Sequence, residues 1–245
     1  MSSQSHTPAE TEAGLGTKLL QPIERRSFLR YTGLTVAATG LILAGCDDDD
    51  DNNMTADTVN VGSGDVGVLN YAYALEQLEA AFYTQLRTGS YYTGLAANTA
   101  EKQILDDLYY HEVIHREFFK AAITAAGATP IKNLEPDFST VNFNDRNSVL
   151  ATAKAFEDLG VAAYNGAGKY LTSAPYLVIA GKIVSVEARH AALIRDLVSE
   201  ASFVDADVVR IADTGLEISK EPSAVANTAN TFLKTGSKLN VSNIR

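Results

Sequence analysis

The sequence predicts an all-α fold: a four-helix bundle with a long crossover between the second and third helices, plus a short C-terminal helix. Three observations carry this expectation. From Val66 onward, four long segments repeat apolar or small residues at helical spacing, with few strand-like alternations. The first two segments and the last two are joined by short connections, as antiparallel neighbours require. The stretch from Gly127 to Asp145, at ~3.3 Å per extended residue, reaches a bundle's length. Finally, each of the four segments carries a glutamate where an inward-facing residue is expected, twice with a histidine three residues on.

The first segment, VLNYAYALEQLEAAFYTQL, sets Leu69, Ala72, Tyr73, Ala80 and Tyr83 on one face. The second, AEKQILDDLYYHEVIHREFFKAAITAAG, does the same with Ile104, Leu105, Leu108, Phe118, Phe119 and Ile123, and Gly127 with Pro130 stops it. Asp145 is an N-cap residue for the third, which carries SVLATAKAFEDLGVAAYNGAGKYL. The chain turns near Ser173 into the fourth, APYLVIAGKIVSVEARHAALIRDLVSE. After Glu200 the pattern weakens, leaving one short helix between Ser223 and Lys234. The expected organisation is an N-terminal signal over 1–45, an acidic flexible tether over 46–65, the bundle over 66–200, and a C-terminal extension over 201–245.

Composition narrows the function. A net charge of -10 argues against nucleic acid as a partner, because phosphate binding needs a basic face. The single cysteine excludes an internal disulfide framework and any cysteine-based metal site. That cysteine follows Arg25-Arg26, Phe28-Leu29, an apolar stretch from Gly33 to Ala44, and the tetrad Leu43-Ala44-Gly45-Cys46. The stretch is too short and too rich in Gly, Ala and Thr for a good spanning helix, so it reads as the apolar part of an export signal. It resembles a bacterial twin-arginine signal joined to a lipobox. The resemblance implies cleavage before Cys46, lipid on Cys46, and anchoring on the periplasmic face of the cytoplasmic membrane. Asp47, directly after the cysteine, resembles an inner-membrane retention signal. The following run to Asn53 is a self-repelling, solvated tether.

Glu76 lies in the apolar stripe of the first segment, and Glu157 sits similarly in the third, among Leu150, Ala153, Val161 and Tyr164. Buried there, an unpaired carboxylate costs several kcal/mol, on the order of an ion taken from water. A tyrosine follows each by seven residues, Tyr83 and Tyr164. The second and fourth segments supply Glu-x-x-His, as Glu112 with His115 and Glu187 with His190. The order Glu, Glu-x-x-His, Glu, Glu-x-x-His reads as a duplicated helix pair. It is also the ligand set of a dimetal carboxylate site in a bundle. Four carboxylates and two neutral imidazoles carry a formal charge that balances two divalent cations. Glu79, three residues after Glu76, competes with it as the ligand of the first helix.

Over about Val66 to Glu200 the chain resembles the ferritin-like superfamily, in particular the exported ferritin-like domain and desiccation-related proteins. The likeness is visible in LNYAYALEQLEAAFY, FEDLGVAAYNGA and VEARHAALIRDL. It implies bridging roles for Glu112 and Glu187, terminal roles for Glu76 and Glu157, histidine ligands His115 and His190, and tyrosines, Tyr83 and Tyr164, near the metals. The function expected from these residues is oxidation chemistry at two metal ions, iron first and manganese as the alternative, with O2 or peroxide as partner. Tyr83 or Tyr164 would supply a hydrogen bond or an electron. Homo-oligomers are compatible with this reading. A second class is a metal-poor envelope bundle with a structural, stress- or desiccation-protection role.

One pattern points elsewhere. His111-Glu112-Val113-Ile114-His115 has the His-Glu-x-x-His form of zinc peptidases. A peptidase would leave Glu76, Glu157, Glu187 and His190 without a role, and the fourth segment has Val186 where a counterpart of His111 would stand. His111, one turn from His115, is therefore expected to be a partly exposed helix residue, with a supporting role behind the ligands or at the site's entrance as the alternative, and the peptidase is the least favoured function.

Overall fold

A computed structural model describes residues 58–245. The signal segment, Cys46 and most of the expected tether lie outside the described residues. Six α-helices and two short strands follow in the order β1 (Thr58–Asn60), α1 (Gly64–Leu86), α2 (Ser90–Thr93), α3 (Ala100–Ala125), α4 (Arg146–Ala167), α5 (Ala174–Val198), α6 (Pro222–Ala229) and β2 (Lys238–Asn240). The four long helices α1, α3, α4 and α5 are the four that the sequence periodicity predicts. They pack chiefly as two hairpins, α1 on α3 and α4 on α5.

α1 is buried almost all round, which its sequence explains: apolar and small residues fill every side instead of a single stripe. Its two buried amides have a separate task. Asn70 accepts from the Ile131 amide at 3.0 Å, and Gln77 accepts from the Leu134 amide at 2.8 Å, so α1 pins the crossover through its backbone. Phe138 and Phe143 of the same crossover then close edge-on or tilted around Phe82 and Phe156, and Phe232 joins from the C-terminal side. Aromatic contacts of this kind stabilise by about 1 kcal/mol beyond the area they bury. The helix starts follow local rules: Asp145 caps α4 by accepting from the Ser148 amide at 2.8 Å, and Thr99 caps α3.

Three features depart from the sequence expectation. Residues 58–65, assigned to the flexible tether, form β1 and the start of α1, and β1 pairs in parallel with β2. Three-residue strands with a partner 180 positions away leave no usable period-2 signal. The loop after α1 contains the four-residue helix α2. The C-terminal extension is packed rather than loosely ordered. Arg195, 1% exposed, forks onto Asp158 of α4 and Asp207 of the extension at 2.7–3.0 Å, which ties the extension to the bundle through a shared ion pair. Beyond it, the Lys220 amide donates to the Ala162 carbonyl at 2.9 Å.

This crossing needs Gly166. A Cβ there would lie 1.8 Å from the Lys220 carbonyl oxygen, far inside contact distance, and both groups are backbone. Gly166→Ala should therefore push the extension off α4 and destabilise the protein by about 1–3 kcal/mol, the usual scale for overpacking. Urea denaturation checks this; an unchanged midpoint would mean that the extension is not seated as described.

Candidate metal centre

Each long helix brings one glutamate to the middle of the bundle, and α3 and α5 each add a histidine from the same face one turn on. Burial there is complete: Glu76, Glu112 and Glu157 are 0% exposed, Glu187 1% and His190 2%. His115 is slightly more open, at 13% for its side chain.

The ligand-bearing atoms fall into two overlapping groups. Glu76, Glu112, His115 and Glu187 bring one atom each within 4.8 Å of one another, and so do Glu112, Glu157, Glu187 and His190. In the first, His115 Nδ1 faces Glu187 Oε1 at 2.8 Å, Glu76 Oε2 at 3.6 Å and Glu112 Oε2 at 3.6 Å. In the second, His190 Nδ1 faces Glu112 Oε1 at 2.8 Å, Glu187 Oε2 at 3.2 Å and Glu157 Oε2 at 3.5 Å. Glu112 and Glu187 thus divide their two oxygens between the groups, whereas Glu76 and Glu157 each belong to one. The geometry brings all six sequence-derived candidate ligands together, with Glu112 and Glu187 facing both histidines and Glu76 and Glu157 facing one each.

Tyr83 and Tyr164 lie one step outward. Tyr83 Oη donates to Glu157 Oε1 at 2.5 Å, and Tyr164 Oη donates to Glu76 Oε1. Each tyrosine therefore holds the terminal carboxylate of the other hairpin's long helix, not that of its own helix, and leaves the inward oxygen, Oε2, free. Burial first, then the neighbouring carboxylates, raises both phenols well above their usual range, so they remain O–H donors.

Whether these residues suit metal ions is decided by what their inner atoms lack. Glu76 Oε2, both oxygens of Glu112, Glu157 Oε2, Glu187 Oε1 and His115 Nδ1 are buried without a hydrogen bond, although charged neighbours stand as close as 2.8 Å. His190 Nδ1 and Glu187 Oε2 do meet as a hydrogen bond at 3.2 Å, while the contacts of the atoms just named miss hydrogen-bond geometry. Buried polar atoms rarely stay unpartnered, and oxygen with imidazole donors is a set that iron and manganese accept. The residues fit two divalent cations, with the metal's identity left open by the donor set.

The metal-free protein must neutralise this cluster with protons. Burial works against a charged His115, but Glu112, Glu187 and Glu76 outweigh it and push the ring up to about 12. His190 is raised against burial in the same way by Glu112 and Glu157. Glu112, despite its burial, is held down to about 2 by the two imidazoles. Burial raises Glu76 well above the carboxylate range, with Glu187 adding to it, and raises Glu157 to about 7.

Two neighbours adjoin the cluster without belonging to it. Glu79 is buried at 4% exposure yet belongs to neither candidate group, and Glu76 is the α1 residue that does. Burial, and then Glu112 and Glu187, raise its carboxyl well above the usual range, and it lies against Gly160, where a Cβ would approach its Oε1 to 3.0 Å. His111 is exposed, as expected, but it is not idle: its Nδ1 lies 2.7 Å from His190 Nε2. It belongs to neither ligand group, and its ring centre is 6.5 Å from that of His115, so the His-Glu-x-x-His pattern does not aim two histidines at one metal here. The long-range pairing of His111 with His190 carries no sequence signal beyond the lone histidine.

The profile of the ferritin-like domain family matches residues 64–200. No curated protein matches the chain. The match takes in all four long helices and all six ligand-bearing residues, and the chain belongs to the ferritin-like domain family.

Metal must displace the protons on His115 and His190, because a coordinating imidazole is neutral. Both rings hold their protons well above neutrality in the metal-free protein, so affinity should rise with pH. Between pH 6 and 8 the expected gain is about tenfold per pH unit for each ring displaced. Calorimetric titration with Mn(II) or Co(II) in buffers of different ionisation enthalpy measures the protons released; a pH-independent affinity would show that the imidazoles are not the displaced groups.

Proposed function

We propose that this ferritin-like protein is an exported dimetal oxidoreductase whose two ions, iron in the favoured reading and manganese in the alternative, react with O2 or peroxide. The observation that carries the reading is the division of Glu112 and Glu187 between two ligand groups, each completed by one terminal glutamate and one histidine. When bound, the metals supply the electrons and the Lewis acidity that the protein's side chains lack. The chain supplies position. Tyr83 and Tyr164 fix one oxygen of each terminal carboxylate, and the apolar residues around α1 exclude water, so the donor set is preorganised.

Anaerobic loading with two Fe(II) per chain, followed separately by O2 and by peroxide, tests the reading. Oxidation should outpace that of free Fe(II) and be lost in Glu76→Ala and Glu157→Ala. Tyr83→Phe and Tyr164→Phe, which remove only the outer hydrogen bond, should weaken metal binding by about 10- to 100-fold. A second reading, a metal-poor structural or stress-protection bundle, is favoured by the way protonated His115 and His190 neutralise the metal-free cluster. A demonstrably filled site that oxidises Fe(II) no faster than solution would select it.

The location belongs to the same proposal. Arg25-Arg26 and Cys46 support twin-arginine export and a lipid anchor on the periplasmic face of the cytoplasmic membrane. Replacing both arginines with lysine should block export, and Cys46→Ala should release the protein from membranes; mature protein retaining unlipidated residues before Cys46 would rule the anchor out.

A further inference from the structure

We infer that the two metal positions are unequal and that His111 makes them so, holding His190 from outside and making the Glu157/His190 position the tighter one. This rests on the dimetal reading above and extends it to the order of filling.

The inner donors are matched in type at the two positions, although His115 is the more open of the two histidines. Each has one terminal glutamate, one histidine through Nδ1, and one oxygen from each shared carboxylate. The tyrosines are matched as well, one per terminal glutamate. Among the titratable residues that touch the cluster from outside the ligand groups, the repeat is broken at Glu79 and at His111. The first, Glu79, has Gly160 as its counterpart; after burial, the neighbours that raise its carboxyl most are Glu112 and Glu187, the carboxylates that both positions share, so it favours neither position. The other is His111 against Val186, each four residues before a ligand histidine.

His111 reaches across from α3 to the histidine of α5. Its ring lies within 19° of the plane of the His190 ring, with centres 5.0 Å apart and nitrogens 2.7 Å apart, so the two meet edge to edge through a hydrogen bond. A metal on His190 Nδ1 leaves Nε2–H as that ring's donor. His111 Nδ1 then accepts, and its own proton sits on Nε2. The hydrogen bond fixes the ring of His190 and makes it a more basic ligand, as outer partners of coordinating histidines do. By the repeat, the residue placed to do this for His115 is Val186, which has no acceptor, and among the described residues no side chain bonds His115 Nε2. His111 is thus a positioning residue for one metal position.

Anaerobic titration of the metal-free protein with Co(II), followed by calorimetry and the cobalt absorption bands, should resolve two binding steps. Glu157→Ala should remove the tighter step, and Glu76→Ala the weaker. His111→Phe keeps a ring but no acceptor, and should weaken the tighter step by about 10- to 100-fold while leaving the other in place. His111→Asn, which puts Oδ1 near the lost Nδ1, should restore most of the difference. Val186→His, offering the missing acceptor to His115, should tighten the weaker step. Two equal steps in the unaltered protein, or equal weakening of both by His111→Phe, would overturn the inference and leave the dimetal reading standing. No Co(II) bound by the unaltered protein would overturn both.

Discussion

Four carboxylates meet in the middle of this bundle with almost no exposure to water, and most of the structure can be read as the answer to that constraint. Ionised and unpaired, such groups would cost several kcal/mol each, on the order of the whole stability of a domain. The protein meets the cost in layers. Two imidazoles stand among the carboxylates, two phenols hold the outer oxygens of the terminal pair, and Glu79, without a place in either ligand group, is driven toward its neutral form. The inner atoms left without hydrogen bonds are those that two cations would take up.

Holding six such side chains in register requires a frame that does not relax around them. α1, which contributes Glu76 and Tyr83, is enclosed on all sides, and its remaining polar residues, Asn70 and Gln77, are engaged by the crossover. On the opposite hairpin, Arg195 ties α5 to α4 and to the C-terminal extension, and Gly166 lets that extension lie directly on α4. The tyrosines add a tie between hairpins: each long helix that supplies a terminal glutamate also supplies the phenol that holds the other one. The site and the packing of the two halves are therefore one arrangement, not a site placed on an independent scaffold.

The two halves repeat one another in their ligands but not in all that surrounds them. His111 and Glu79 have Val186 and Gly160 as counterparts, and both departures lie against the cluster. A duplicated helix pair can diverge at such positions without losing a ligand, because neither residue belongs to the ligand groups. That freedom is what allows a symmetric donor set to have an asymmetric environment.

The sequence by itself determined the four long helices, the crossover and the six candidate ligand residues that the structure brings together, because these depend on local spacing: apolar residues every three to four positions, and Glu-x-x-His placing two donors on one face. It also identified Glu112 and Glu187 as the shared carboxylates, through family likeness. Only the tertiary structure decided which oxygen faces which histidine, that Glu76 and not Glu79 joins a candidate ligand group from α1, and that each tyrosine bonds the opposite hairpin. It also decided the pairing of β1 with β2, the burial of Arg195 and the contact of His111 with His190. The reason is common to them all. Each joins residues far apart in the chain, across a separation that depends on how helices pack, and no periodicity within one segment records what stands opposite it.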